Sequence, residues 1–534
     1  MGNKIKNPII AGFYPDPSIC RVGDDYYLAC SSFEMDPGIP VFHSKDLANW
    51  ELIGNAVSGR NGFKAPKNTM VGGIMAPTIR FFNGKFYIID SNAGGGGNFI
   101  ITAQDPAGPW SEPYYMDDVP GIDASLFFDD DGSAYIVGTG TVWENEGGKM
   151  ERGIWVAPFD AVNFKVTGEP FCLFNTALRA AASPEAPHLY HIGEYYYLII
   201  AEGGTEFFHA VTTARGKSLH EFFEGFEGNP VLTHRHMGRT AKITNVGHAD
   251  LVQLPDDSWY AVFLASRPVE HKYKTIGRET FICPVIWEDG WPVFSPETGK
   301  VEDEYDAPAC LPWTPFEKPA ARDDFDEQEL SPYLVQWGTP DKDFWRIEDG
   351  NLRIRCVAEK IDTEPVPFTM MDGSEDKFAP FISRRMTAFD AEVSCKMDFV
   401  PAGDESAGLA LTQAINNNLL LEKVSAEGKS VVRFVLVKTE YNCPPYIPGF
   451  KSHTERKVIG EAAAEGAVTE LGLKVEGTLV TAYADGVKIG ETDMGALFPD
   501  AKSGGMVGTM IGMFASGNGS DSENEAAFDW FEMK

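Results

Sequence analysis

The chain has 534 residues, of which 43% are hydrophobic, 12% aromatic and 23% charged. That is enough apolar material for packed cores and excludes a disordered chain, and at about 100–200 residues per domain the length asks for two or three domains. Forty-five basic against 78 acidic side chains leave a net charge of −33; such a field repels nucleic-acid phosphates and anionic membranes but is indifferent to a neutral sugar.

Nothing in the sequence approaches the run of about 18 apolar residues needed to span a bilayer. The first residues, MGNKIKNPIIAGF, carry two lysines with no apolar run behind them. They predict no secretory leader and, with that, a cytoplasmic location. The eight cysteines (20, 30, 172, 283, 310, 356, 395 and 443) form no CxxC and no cluster, the usage of a reducing compartment.

Short β-branched and aromatic runs, broken by Gly, Asn, Asp and Pro, fill the first three hundred residues. One unit recurs five times: a small or acidic residue, an apolar strand, a polar turn and an aromatic-rich strand. The copies are DPSI…GDDYYLACSS from Asp16, APTI…NGKFYIIDSN from Ala76, DASL…DDGSAYIVGT from Asp123, EAPHL…IGEYYYLIIAE from Glu185 and HADL…PDDSWYAVFLAS from His248. Their starts lie 60, 47, 62 and 63 residues apart, and the fourth copy carries one extra residue. Each copy holds a hairpin with room for two more strands, so the pattern predicts a five-bladed β-propeller; an unrelated run of hairpins in a sandwich is the alternative. The first strand of each blade lines the central channel. Asp16, Ala76, Asp123, Glu185 and His248 then converge on one mouth of it, bringing three carboxylates and a histidine together.

The Pro- and charge-rich stretch LPWTPFEKPAARDD breaks the pattern. It divides the chain into a propeller over 1–312, a linker over 313–322 and a second domain over 323–534. Alternation returns there in FDAEVSCKMDFV, GLALTQA, TAYADGVKIGET and GMVGTMIGMFA, predicting a β-sandwich and an all-β protein. The Ala- and Glu-rich segment from Glu461 to Glu470 reads as a short helix or a long exposed loop.

Three carboxylates around one pocket suit glycoside hydrolysis. An inverting enzyme needs a protonated acid for the leaving oxygen and a carboxylate base for water on the other face, about 6.5–9.5 Å apart; a retaining one sets them about 5–5.5 Å apart. Opposite sides of a channel fit the wider spacing. A third carboxylate near the acid raises its pKa by like-charge repulsion. Taken singly, Asp16 also reads as a turn residue before Pro17, Asp123 as an Asx cap and Glu185 as an exposed acid.

The segments NPIIAGFYPDPSI, SSFE…PGIPVFHSKDLANW, GIDASLFFDDDG, SPEAPHLY, AEGGT and GRETF…WEDGWPVF resemble glycoside hydrolase family 43. The resemblance covers nearly the whole chain, and the C-terminal part from DDFD to AAFDWFEMK is similar to the sandwich that follows the propeller in β-xylosidases and some α-L-arabinofuranosidases. It implies that Asp16 is the general base, Glu185 the general acid and Asp123 the acid that tunes and orients Glu185. It further implies that Arg278 contacts the sugar and the catalytic acids, and that Phe33 is an aromatic wall. His248 faces the channel and in some members of the family sits by a calcium ion or a water cluster. A metal at His248 would be calcium with most of its six to eight ligands water; the alternative is a histidine joined to the carboxylates through water. Glu202, Thr205 and Glu206 follow the fourth unit at a position suited to substrate contact. Met75 stands where many β-xylosidases of the family carry Trp, giving a softer wall. His234 and His236 lack a third ligand at a supporting spacing and read as loop residues, and the run Gly94–Gly97 reads as a loop beside the pocket.

The expectation is an inverting exo-glycosidase that releases terminal pentoses, foremost a β-1,4-xylosidase acting on short xylo-oligosaccharides. An α-L-arabinofuranosidase or a dual activity is the alternative, followed by an endo-arabinanase and a non-catalytic carbohydrate-binding propeller. No cofactor is expected to be required, with a calcium ion in the propeller channel as the one candidate; the expected partner is a xylo- or arabino-oligosaccharide, with no nucleic acid and no membrane. Homo-oligomers are common among such enzymes, and no residue pattern here marks one. An exo enzyme needs a blind pocket, and the region Met506–Ser516 of the sandwich is expected to close it.

Overall fold

The computed structural model describes residues 2–534 other than 66–71, 145–147, 149, 176–181, 340–342, 363–379, 415–416, 444–447, 450 and 499–507. Five antiparallel sheets of four or five strands form the propeller, one per sequence unit. Their innermost strands are Ser18–Val22, Gly73–Phe82, Ile122–Phe128, Glu185–Ile192 and Thr244–Gln253. Alternation explains why the blades stack. In Lys85–Ala93 of the second blade, Phe86 and Ile88 face the first blade's cluster while Tyr87 and Ile89 face the third's. Five such clusters, one per seam, fill the ring. The N-terminus ties the ring shut: Lys4–Lys6 pairs with Glu304–Asp306, and the Asn7 side chain bonds to both sides of the Ile282 backbone. No helix among the described residues is long and apolar enough to cross a membrane.

The opening position of each unit has a shared backbone. Asp16, Ala76, Asp123, Ala186 and His248 all adopt left-handed φ, between 50° and 59°, a conformation unfavourable for residues with a Cβ. In the last four blades it falls within a register break of the first hairpin, a β-bulge of the kind that re-aims side chains. One sequence expectation is corrected here. The position equivalent to Asp16 in the fourth blade is Ala186, so Glu185 stands one residue earlier, and the extra residue of that unit precedes the bulge.

The second domain is a sandwich of two eight-stranded sheets enclosing a core that includes Leu352, Val393, Leu409, Leu471 and Phe528. One sheet runs on into the propeller, where Val335–Trp337 pairs with Met35–Asp36. The segment from Glu461 to Glu470 is neither helix nor long loop. It is the end of strand Ser452–Ala463, a turn, and the start of strand Val468–Glu476, because pairing with Lys429–Tyr441 overrides its helical propensity. Met510–Ser516 is likewise not a closing loop but a fully buried strand between Phe381–Arg385 and Ser406–Ala414; Met506 lies outside the described residues. What the sandwich does offer is Thr509, which donates from its backbone and its hydroxyl to Thr275 O at 3.0 and 2.6 Å. That braces the loop leading to Arg278.

Candidate active site

A cavity of about 570 Å³ opens at the channel mouth where the left-handed residues converge. It is lined by Asp16, Asp123 and Glu185, with Phe33, Met75, Thr205, His248 and Arg278 around them. Arg152 and His209, which the sequence analysis did not single out, line it too.

Hydroxyls pin the opening residues. Ser31 Oγ accepts from Ala76 N at 2.7 Å and donates to Asp16 at 2.6 Å. Ser91 Oγ accepts from Asp123 N at 3.2 Å, and Thr139 Oγ1 donates to Pro184 O at 2.5 Å. Each hydroxyl lies on or just after the second strand of its blade and reaches the start of the next blade.

The three carboxyls face different surroundings. Burial pushes the Asp16 carboxyl up, but Arg278, His248 and Ser31 outweigh it and hold the pKa below the ordinary value. The Arg278 Nη1 donates to Asp16 Oδ1 at 2.8 Å and to Thr205 Oγ1 at 3.0 Å, while His248 Nδ1 lies 3.6 Å from the same Asp16 oxygen. Asp16 is therefore held ionised. Asp123 is pushed well up, by burial first and then by Glu185 and Asp16. It accepts from Ala186 N at 3.2 Å, which fixes the backbone beside Glu185. Glu185 is pushed up by burial; Arg152, 3.3 Å away on the third blade, opposes this, and Asp16 adds to it. Behind them lies a fourth acid. Asp90 is fully buried, its Oδ2 finds no partner among the described residues, and burial drives its pKa well up. Around one cavity the carboxyls are thus shifted in opposite directions, Asp16 toward its charged form and Asp123 and Glu185 toward their protonated forms, the division of labour that acid–base catalysis needs.

Phe33 is 2% exposed and packs against Phe13, with the Arg278 guanidinium 5.4 Å from its ring centroid. Met75 joins the cavity to the sandwich, packing against the cluster of Met35, Trp337, Phe381 and Met510. Glu202 is corrected: it is completely buried, 3.8 Å from Arg235, and does not line the cavity, because its strand neighbour Ala201 takes the inward side. Glu206 pairs with Lys274 at 2.6 Å on the outer surface. His234 is a structural histidine, Nδ1 donating to Ile243 O and Nε2 accepting from Val301 N. The glycine run is a hairpin turn, its Gly95 carbonyl bonded by Asn92.

The groups around His248 do not form a calcium cage. Asp16 is committed to Arg278 and Ser31, and Asp250 to Arg80, Tyr190, Ser18 and the Ile19 N–H, so an ion there would have to be ligated chiefly by water. Among the described residues the one group of three His or carboxylate ligands within reach of each other is Asp129, Asp130 and His191. It sits at the far ends of the innermost strands, away from the cavity.

Comparison with known proteins agrees with this geometry. The family model described as Glycosyl hydrolases family 43 matches residues 5–292, and that of the Beta xylosidase C-terminal Concanavalin A-like domain matches residues 322–534. A Butyrivibrio fibrisolvens protein named xylosidase/arabinosidase is 40% identical over 99% of both chains. A Bacteroides ovatus non-reducing end alpha-L-arabinofuranosidase is 36% identical over 99% of this chain and 94% of its own. Among solved structures, xylan beta-1,4-xylosidase from Bacillus halodurans superposes with a TM-score of 0.85 at 30% identity, over 99% of this chain and 100% of its own.

Proposed function

The chain belongs to glycosyl hydrolase family 43, and from that premise we propose an inverting, exo-acting pentosidase, foremost a β-1,4-xylosidase on short xylo-oligosaccharides. The observation that carries the reading is that Asp16 and Glu185 line one cavity with their pKa values pushed in opposite directions, Asp16 down and Glu185 up. Asp16, ionised by Arg278, takes a proton from water as that water attacks the anomeric carbon. Glu185 gives its proton to the departing oxygen, and the C–O bond to the leaving sugar breaks. Burial and the nearby Asp16 push Glu185 toward its protonated form, and Asp123 fixes the backbone beside it through the Ala186 N–H. The sandwich behind Met75 supports an exo mode, since it backs one wall of the pocket.

α-L-Arabinofuranosidase or dual activity is the second reading. It is favoured by Met75, a flexible wall that adapts to either pentose, and by the names of the Butyrivibrio and Bacteroides relatives. The test is initial rates on nitrophenyl β-D-xylopyranoside and nitrophenyl α-L-arabinofuranoside, with Glu185→Ala as control. The rate ratio names the sugar, and NMR of the first-formed anomer distinguishes inversion from retention. A folded wild type that turns over neither substrate sinks the exo-pentosidase reading.

A further inference from the structure

We infer that His209 is a specificity-determining residue whose Nε2 accepts a hydrogen bond from one hydroxyl of the terminal sugar. The inference rests on the pentosidase reading and deepens it.

His209 immediately precedes the third strand of the fourth blade, Ala210–Gly216. Its side chain is 3% exposed and lines the cavity. Nδ1 lies 2.9 Å from Asn245 O. A carbonyl only accepts, so Nδ1 carries the proton and Nε2 carries a lone pair. Burial holds the imidazole pKa down to about 3, so the ring stays neutral and the tautomer stays fixed across working pH. Among the described residues Nε2 has no hydrogen-bond partner, nor is it one of the buried atoms sealed off without one; it opens on the cavity.

The ring is clamped. A Cβ at position 247 would lie 2.5 Å from its Cε1 and Nδ1, so Gly247 makes room for it. Thr233 Oγ1 donates to His209 O at 2.8 Å. A structural histidine needs the Nδ1 bond; that role leaves a pre-placed acceptor facing the cavity unexplained. A sugar hydroxyl both donates and accepts. Arg278 brings donors to the pocket, and the carboxyls are occupied with the reacting protons. His209 supplies a neutral acceptor, and a sugar lacking the matching hydroxyl would leave it desolvated and unpaired, the arrangement that discriminates between analogues.

The test is a cycle of kcat/KM for wild type, His209→Leu and His209→Gln, on the nitrophenyl pentoside that the enzyme prefers and on its monodeoxy analogues. The wild type should lose about tenfold or more on one analogue, and His209→Leu about tenfold on the parent sugar. On that one analogue His209→Leu should cost little further, and His209→Gln, which restores an acceptor, should recover part of the loss. Equal cost of His209→Leu on every sugar, or a wild type indifferent to every deoxygenation, overturns the inference. If His209→Leu does not fold, the wild-type deoxy series and His209→Gln decide it alone. A wild type that neither cleaves the parent pentosides nor binds free xylose or arabinose refutes the pentosidase reading and this inference together. Turnover with a strictly additive cycle refutes His209 alone.

Discussion

Replacing Arg278 by Met tests the charge logic of the pocket. Asp16 and Arg278 side chains are 7% and 4% exposed, so the substitution takes the nearest cation from a largely buried carboxylate. The 2.8 Å contact is a charge-assisted hydrogen bond, worth about 1.5–3 kcal/mol. At about 1.4 kcal/mol per tenfold, kcat/KM near neutral pH should fall about 10- to 150-fold. The pH dependence carries a sign. A base works when unprotonated, and Arg278 holds the Asp16 pKa down; without it the acid limb moves to higher pH, and the loss shrinks as pH rises. The stability effect follows the same group. A carboxyl depressed in the folded state stabilises above its unfolded pKa and loses that contribution as pH falls through the folded one, so the variant's Tm deficit should be larger at pH 7 than in acid. Thr205→Val removes the other bond of the same Nη1 without touching the charge and should leave the limb in place. The assay is kcat/KM against pH on the preferred nitrophenyl pentoside. A loss of equal size at every pH, with the acid limb unmoved, would refute the argument and reduce Arg278 to a sugar-binding group.

Glu185→Ala should cost about 10²–10⁴-fold on xylobiose or an alkyl glycoside, yet far less on a dinitrophenyl glycoside, whose leaving group needs little protonation; parallel rate series with the two leaving groups check this. Arg152→Met removes the cation that lowers the Glu185 pKa. Since an acid works while protonated, the alkaline limb of the pH profile should move up, and Arg152→Lys should restore most of it. Asp90→Asn replaces an acid that folding holds protonated. In the wild type such a group makes stability fall as pH rises above its unfolded pKa, so the variant should gain Tm relative to wild type between about pH 4 and 7. An unchanged difference in melting temperature across that range would show Asp90 to be charged in the folded state.

The propeller was legible because each unit repeats a physical problem. A strand must start at the channel mouth in a left-handed turn and then alternate between two seams, and DPSI, APTI, DASL and HADL write that solution out. The fourth unit was misaligned by one residue because a bulge has no letter of its own; SPEAPH reads as if Glu185, not Ala186, occupied the shared position. Glu185 reaches the cavity all the same, as Met75 and Ile122 do from the equivalent places on other blades. Arg152 and His209 were not legible, since Arg152 stands on the third strand of its blade and His209 just before the third strand of the next, where the units carry no repeated motif. The hydroxyls Ser31, Ser91 and Thr139 were present in the motifs, within ACSS, IDSN and GTGT, and their recurrence was a usable sign of a shared joint. The start of the Glu461–Glu470 segment shows the opposite limit. Its composition favours a helix, and only the partner strand, thirty residues upstream, decides otherwise.

The strand pairing between Met35–Asp36 and Val335–Trp337 has a consequence for how this protein can be cut and recombined. The two residues before Met35 are Phe33, a wall of the cavity, and Glu34, whose carbonyl receives the Gly338 N–H. The sheet of the second domain therefore ends two residues from a wall of the first domain's pocket. A propeller expressed alone would expose an unsatisfied strand edge and the apolar face of Met35 and Met75, and it would lose the brace on the loop before Arg278. Chimeras that join this propeller to a sandwich from another relative should fail unless the 33–36 segment travels with its partner. For heredity, as for the protein engineer, the two folds are a single transferable part.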